Sequence, residues 1–202
     1  MTHSFLAMRL SLLLSTILLA APLAAQPLEF GAAIPSSVEG VTDASGQPAS
    51  LGAVQGTAGT AVLFWSEACA WTEKYRNRVA DLAAELDTRG IAVVLVDSDD
   101  PNAIPAPLTA DAAAPRSTLA GATLLLDPSH ALADAFGARQ APSAFLFSRD
   151  GLVYRGAIDD SPADADRITI RYLMQAAEDL LAGQETEIQQ TQAFGCTIKR
   201  RR

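Results

Sequence analysis

Two uninterrupted apolar runs constrain this chain more than any other feature of it. Ala61-Val62-Leu63-Phe64-Trp65 and Ile91-Ala92-Val93-Val94-Leu95-Val96 show no polar alternation, which is the pattern of strands buried on both faces of a sheet. Between them, Tyr75, Val79, Leu82, Ala83 and Leu86 recur at three- and four-residue spacing, with Glu73, Lys74, Arg76, Arg78 and Asp81 on the other faces. That spacing predicts an amphipathic helix, with Gly90 as its C-terminal stop. Strand, helix and strand of these lengths make a right-handed crossover with parallel strands.

The remainder extends this unit. Thr123-Leu124-Leu125-Leu126 reads as a short strand and Ala131 to Phe136 as a short helix stopped by Gly137. Ser143-Ala144-Phe145-Leu146-Phe147 is a strand, and an Asp150-Gly151 turn returns the chain through Leu152-Val153-Tyr154-Arg155 as its antiparallel partner. Ser161-Pro162-Ala163-Asp164 has the form of a helix start, with a hydroxyl cap, proline at the first helical position and an acid soon after. The helix expected there buries Ile170, Leu173, Ala177 and Leu180 and closes at Gly183. Asp97 to Ala120, rich in Asp, Pro and Ala, reads as an irregular insertion or a short helix at Thr109–Ala114. The expected fold is α/β, a sandwich around a mixed central sheet.

The domain occupies residues 60–183 in this reading. Residues 26–59 form an irregular N-terminal extension with a hairpin near Ala44-Ser45-Gly46-Gln47, and residues 184–202 form an extended tail that carries Cys196.

The first 25 residues read as a signal peptide. Met1 to Arg9 holds one basic residue and no acid, Leu10 to Ala21 is almost wholly apolar, and Pro22-Leu23-Ala24-Ala25-Gln26 offers small residues for cleavage after Ala25. The apolar run falls short of the roughly 20 residues a bilayer span needs; the competing reading is a retained anchor. No later segment approaches that length, so no membrane span is expected after cleavage, and the expected location is the periplasm or the exterior. The chain is acidic, with a formal net charge of -8, which gives no electrostatic footprint for nucleic acid. The basic ending Lys199-Arg200-Arg201-Arg202 reads as a solvated tail.

Two cysteines, Cys69 and Cys196, are far too few for a disulfide scaffold. Cys69 lies where the strand ending at Trp65 turns into the helix. There the unpaired backbone N–H groups and the positive end of the helix dipole favour an anion. A thiolate is such an anion and is the nucleophilic form, so the placement predicts a depressed thiol pKa. The competing reading is a small buried cysteine that packs as a hydrophobe. His130 is the one histidine beyond the signal peptide, and no cysteine–histidine cluster has metal spacing, so no metal or other cofactor is expected. Asp159-Asp160 reads as a solvated turn rather than a catalytic carboxylate pair.

Leu63-Phe64-Trp65-Ser66-Glu67-Ala68-Cys69 resembles the strand and turn leading into the active site of thioredoxin-like proteins. Ala141-Pro142-Ser143-Ala144-Phe145-Leu146-Phe147 with Asp150-Gly151 is similar to that family's loop, strand and hairpin. Tyr154-Arg155-Gly156-Ala157-Ile158-Asp159-Asp160 and Phe194-Gly195-Cys196-Thr197-Ile198-Lys199 together resemble the redoxin branch, which includes the thiol-specific antioxidant and alkyl hydroperoxide reductase relatives. The resemblance covers roughly Thr60 to Lys199. It implies a thioredoxin-like three-layer sandwich, a cis peptide bond before Pro142, and a substrate groove formed by Ala141, Pro142 and Trp71 beside Cys69. From the residues alone, a proline at the head of a strand is expected because it cannot donate to the ladder, and a trans bond is favoured.

The departures limit the chemistry. Thr72 stands where a thioredoxin has its second cysteine, and Leu63 where it has a buried acid. Val62 and Ser66 stand where a peroxiredoxin has proline and threonine. Cys69 therefore cannot perform dithiol exchange alone and needs a resolving group. Cys196 is the candidate within the chain, with three arrangements open: a redox partner, a static staple or an unpaired thiol. Ser66 and Thr72 are the nearest hydroxyls for hydrogen bonding a Cys69 thiolate.

Three activities are consistent with these residues. The first is a thiol-disulfide oxidoreductase acting on protein or small-molecule thiols and disulfides, with Cys69 as nucleophile and Cys196 resolving it. The second is a thiol peroxidase in which Cys69 cycles through sulfenic acid. The third is a redox-silent binding module.

Overall fold

The computed structural model describes residues 27–104 and 119–201. The expected signal peptide and the helix expected at Thr109–Ala114 lie outside the described residues. Six strands form a mixed sheet: β1 (Thr42–Asp43), β2 (Gly59–Trp65), β3 (Ile91–Asp97), β4 (Ala122–Leu126), β6 (Ser143–Phe147) and β7 (Leu152–Gly156), in the spatial order β1-β4-β3-β2-β6-β7. A separate two-stranded ladder joins β5 (Gln140–Ala141) to β8 (Cys196–Thr197). Strands β2, β3 and β4 run parallel, while β1, β6 and β7 run antiparallel to their neighbours.

The apolar runs are buried on both faces because both faces are covered. From β2, Ala61, Leu63 and Trp65 face helices α1 (Ala70–Thr88) and α3 (Tyr172–Leu181) through Tyr75, Val79, Leu86, Leu173 and Ala177. Val62 and Phe64 face the other way, against Leu132, Ala133 and Phe136 of α2 (Ala131–Phe136). Period-two alternation thus splits one continuous run between two cores, and the result is the thioredoxin-like three-layer α/β sandwich. Gly90 at φ 79° and Gly137 at φ 65° follow α1 and α2 in the left-handed region that favours glycine.

Residues 27–58 pack on the domain. Val41 and Leu51 enter the core beside α2. The turn expected near Ala44–Gln47 is present, with the Asp43 N–H donating to the Gln47 carbonyl at 2.8 Å.

The helix expected from Ser161 begins instead at Tyr172. Three carbonyls that an earlier start needs are already engaged. Arg78 donates to those of Ser161 and Pro162, both at 3.0 Å, and the Ser161 hydroxyl takes that of Asp164 at 2.6 Å. Only a 3-10 turn forms at Ala165–Arg167, capped by the Asp164 carboxylate on the Asp166 N–H. Leu173 and Ala177 are buried as expected, but Ile170, ahead of the helix, is 39% exposed. Asp159, expected in solvent, is buried and ion-paired to Arg78 at 2.6 Å, and it also accepts the Tyr75 hydroxyl at 3.2 Å. Burial first, and then the Asp159 charge, push the Tyr75 phenol well above its ordinary value, so it remains a donor.

Candidate active site

Cys69 is the N-cap of α1 and is 2% exposed. The turn from β2 places it there. Its N–H donates to the Ser66 carbonyl at 3.2 Å, and its own carbonyl accepts the Thr72 N–H at 3.0 Å. Glu67 pins the same turn by accepting the Trp65 indole N–H at 3.1 Å and pairing with Arg76 at 2.5 Å. The Ala141–Pro142 bond is cis, and the Cys69 Sγ lies 3.4 Å from the Ala141 carbonyl oxygen. That approach is a packing contact, because Cys69 is disulfide-bonded and its sulfur carries no proton.

The partner is Cys196, 127 residues away in sequence, with the two Cα atoms 5.9 Å apart. Strand β8 pairs antiparallel with β5, so Cys196 stands opposite Ala141, the residue before the cis proline. Gly195 lets the tail come this close, since a Cβ there would overlap the Ala141 carbonyl and the Pro142 nitrogen. Cys196 is partly exposed, unlike Cys69.

The tail is held on both sides of Cys196. Upstream, the Arg155 N–H donates to the Gln189 carbonyl at 3.0 Å and the Thr191 N–H to the Arg155 carbonyl at 3.1 Å. The Thr191 hydroxyl shares a 2.6 Å hydrogen bond with Tyr154 and accepts the Ala157 N–H at 2.9 Å. Downstream, Ile198 is 4% exposed in the core beside α2, and its N–H donates to the Arg139 carbonyl at 3.0 Å. The Lys199 N–H donates to Asp99 Oδ1 at 2.6 Å, its carbonyl accepts the Asp100 N–H at 2.8 Å, and His130 Nε2 lies 3.1 Å from the same carbonyl. The basic ending, expected as free solvated charge, is ion-paired: Arg200 to Asp134 at 2.8 Å and Arg201 to Asp100 at 3.1 Å. The Asn102 backbone N–H, with help from the Asn102 side chain and the Arg201 charge, holds the Asp100 carboxyl below its ordinary range.

The other sequence-derived residues divide. Trp71 meets Phe194 of the tail edge to face, with ring centroids 4.6 Å apart. Thr72 is fully buried and its hydroxyl has no hydrogen-bond partner. The Ser66 hydroxyl donates to Asp99 Oδ2 at 2.5 Å. Neither Asp99 nor Asp100 is among the residues expected at the site from sequence. The available signal was a run of acids, Asp97-Ser98-Asp99-Asp100, at the C-terminal end of a parallel strand, where α/β sheets place functional groups. Among the described residues no group of three or more His, Cys, Asp or Glu is arranged to hold a metal ion, and no helix is long and apolar enough to cross a membrane.

Residues 31–155 match the AhpC/TSA family. Among solved structures, an uncharacterized conserved protein from Geobacillus kaustophilus is 26% identical, with a TM-score of 0.74 over 86% of this chain and 93% of that one. A hypothetical protein from Sinorhizobium meliloti 1021 is 28% identical, with a TM-score of 0.72 over 87% and 97%. None of the curated proteins matches significantly.

Proposed function

This chain belongs to the AhpC/TSA family, a redoxin family of thiol-dependent oxidoreductases, and from that premise we propose that it exchanges disulfides through the non-local pair Cys69 and Cys196. The observation that carries this reading is the bond between an N-cap cysteine and a cysteine standing opposite Ala141. It supplies the second thiol that Thr72 does not.

In the dithiol form, Cys69 loses its proton to solvent and its thiolate attacks one sulfur of a substrate disulfide. The substrate S–S bond breaks, its other sulfur leaves as a thiolate that takes a proton, and a mixed disulfide forms on Cys69. Cys196, deprotonated in turn, attacks the Cys69 sulfur, releases the second substrate thiol and closes the Cys69–Cys196 bond. Two electrons pass from the protein to the substrate. Run in reverse, a thiolate from a substrate dithiol opens the Cys69–Cys196 bond and the same steps oxidise the substrate. The relative potentials of the two couples set the direction.

Two opposed effects act on the Cys69 thiol. Helix N-terminal placement favours the thiolate by about 0.3–1 kcal/mol at exposed sites and up to about 2 in partly buried geometries, whereas burial and the nearby Ala141 carbonyl disfavour it. The Thr72 hydroxyl, three residues on and unpartnered in the disulfide state, is the donor we assign to a Cys69 thiolate. Ser66, engaged by Asp99, orients the turn instead. Ala141, Pro142 and Trp71, which the tail covers through Cys196, Gly195 and Phe194, are the residues we assign to a substrate groove.

The test is trapping. Cys196→Ser is expected to accumulate a mixed disulfide on Cys69 when offered a model disulfide, while Cys69→Ser forms none. Failure of the wild-type bond to open or close under any thiol buffer would leave a static staple and end the proposal. Family membership supports a second reading in which Cys69 attacks peroxide, hydroxide or alkoxide leaves, and Cys196 condenses with the sulfenic acid to release water. Peroxide consumption that vanishes in Cys69→Ser would select it. We further propose export, on the basic, apolar and small-residue succession of Met1 to Gln26. N-terminal sequencing of material outside the cytoplasm should begin at Gln26.

A further inference from the structure

Asp99 connects the two cysteine-bearing segments. Its Oδ2 accepts the Ser66 hydroxyl at 2.5 Å and its Oδ1 accepts the Lys199 N–H at 2.6 Å. Ser66 lies three residues before Cys69, and Lys199 three residues after Cys196. One carboxylate thus bonds both arms of the pair at matched distances along the chain. Asp99 is itself placed firmly. It sits just past the end of β3, 5% exposed, and its N–H donates to Asp97 Oδ1 at 3.0 Å. A buried acceptor with two short bonds holds its donors tightly, since leaving either side unpaired exposes the full desolvation cost.

We propose that Asp99 is a positioning residue that yokes the reduced cysteines, keeping Cys196 within reach of Cys69 when no covalent bond joins them. Two groups held in place react as if each were present at high effective concentration, and a flexible tail forfeits that advantage. The yoke therefore stabilises the disulfide relative to external thiols and speeds resolution of a mixed disulfide on Cys69. This inference rests on the exchange reading given above.

The experiment equilibrates the full chain with glutathione redox buffers, quenches with acid and counts free thiols by alkylation and mass spectrometry. Asp99→Ala is expected to lower the equilibrium constant for closing the Cys69–Cys196 bond at least tenfold, about 30 mV for this two-electron couple. Asp99→Asn is expected to stay within threefold of wild type, because its amide oxygen still accepts the Lys199 N–H and its NH2 donates to Ser66. Ser66→Ala, which cuts one arm only, should shift the constant in the same direction by a smaller factor and serves if Asp99→Ala does not fold. Leu173→Ala is the control for general loosening, since Leu173 is fully buried in the core that α3 shares with α1.

An unchanged constant in Asp99→Ala, or an equal shift in Leu173→Ala, overturns the yoke while the exchange reading stands. If the wild-type pair never equilibrates with glutathione, the exchange reading falls, and amide hydrogen exchange in Cys196→Ser decides the yoke separately. There Asp99→Ala should speed exchange of the Lys199 amide at least tenfold; equal rates refute it.

Discussion

Trp71 and Phe194 meet edge to face, their planes inclined at 83°. Trp71 lies two residues after Cys69 and Phe194 two residues before Cys196, so the ring contact repeats, without a covalent bond, the link the sulfurs make. Phe194 is 49% exposed, which places the pair at the rim of the site. Such contacts contribute about 0.5–1.5 kcal/mol beyond burial. A double-mutant cycle of Trp71→Ala and Phe194→Ala, measured by urea unfolding of the reduced chain, is expected to show coupling at the low end of that range. Coupling near zero would mean that the rings meet only while the disulfide holds them.

Ile198, rather than the terminal arginines, anchors the tail. Full burial of an isoleucine is worth about 1.5–3 kcal/mol, whereas an exposed ion pair contributes about 0–1 kcal/mol, and the Arg201 side chain is 66% exposed. Ile198→Ala should therefore destabilise the reduced protein by about 1–3 kcal/mol, and Arg201→Ala by less than about 0.5 kcal/mol. Proteolysis of the reduced chain should release the C-terminal segment sooner in Ile198→Ala than in Arg201→Ala. The reverse order would assign the docking to charge.

The layers of this fold were legible because hydrophobic periodicity reports them directly. The runs at 61–65 and 91–96 and the spacing from Tyr75 to Leu86 are consequences of burial. The start of α3 was not legible. Ser161 and Pro162 carry a local helix-start pattern, but a long-range partner, Arg78 on α1, takes the carbonyls that a helix would use. Cys69 was readable from its strand–helix junction. Asp99 was not, because its role depends on bringing Ser66 and Lys199 to one carboxylate, and no local pattern encodes a contact spanning 100 residues.

Gly195→Ala tests the crossing over the cis-proline loop. An added Cβ would meet backbone atoms of Ala141 and Pro142, which cannot rotate aside as a flexible side chain would. The expected outcome is a displaced β8, at least a tenfold slower closure of the Cys69–Cys196 bond, and little change in the six-stranded sheet. Timed alkylation with mass spectrometry reads the closure rate, and far-ultraviolet circular dichroism reads the sheet. Closure at the wild-type rate would show that the tail reaches Cys69 by another approach.

Asp100 gives the loop after β3, and through Arg201 the tail bonded to it, a defined dependence on acid. Its carboxyl is held below the ordinary value of 3.8, first by the Asn102 N–H and further by the Asn102 side chain and Arg201. A group with a depressed folded-state pKa contributes stability that is present above its ordinary value and is lost as pH falls through the lower, folded value. The Asp100 contribution should thus be complete at neutral pH and decline only below about pH 3.8. Asp100→Asn removes the titration, so the stability gap between wild type and variant is expected to be constant from neutral pH down to that point and to close below it. Urea unfolding at a series of pH values measures the gap. A gap that widened with acid would require an Asp100 pKa raised on folding, the opposite of what the Asn102 and Arg201 contacts produce.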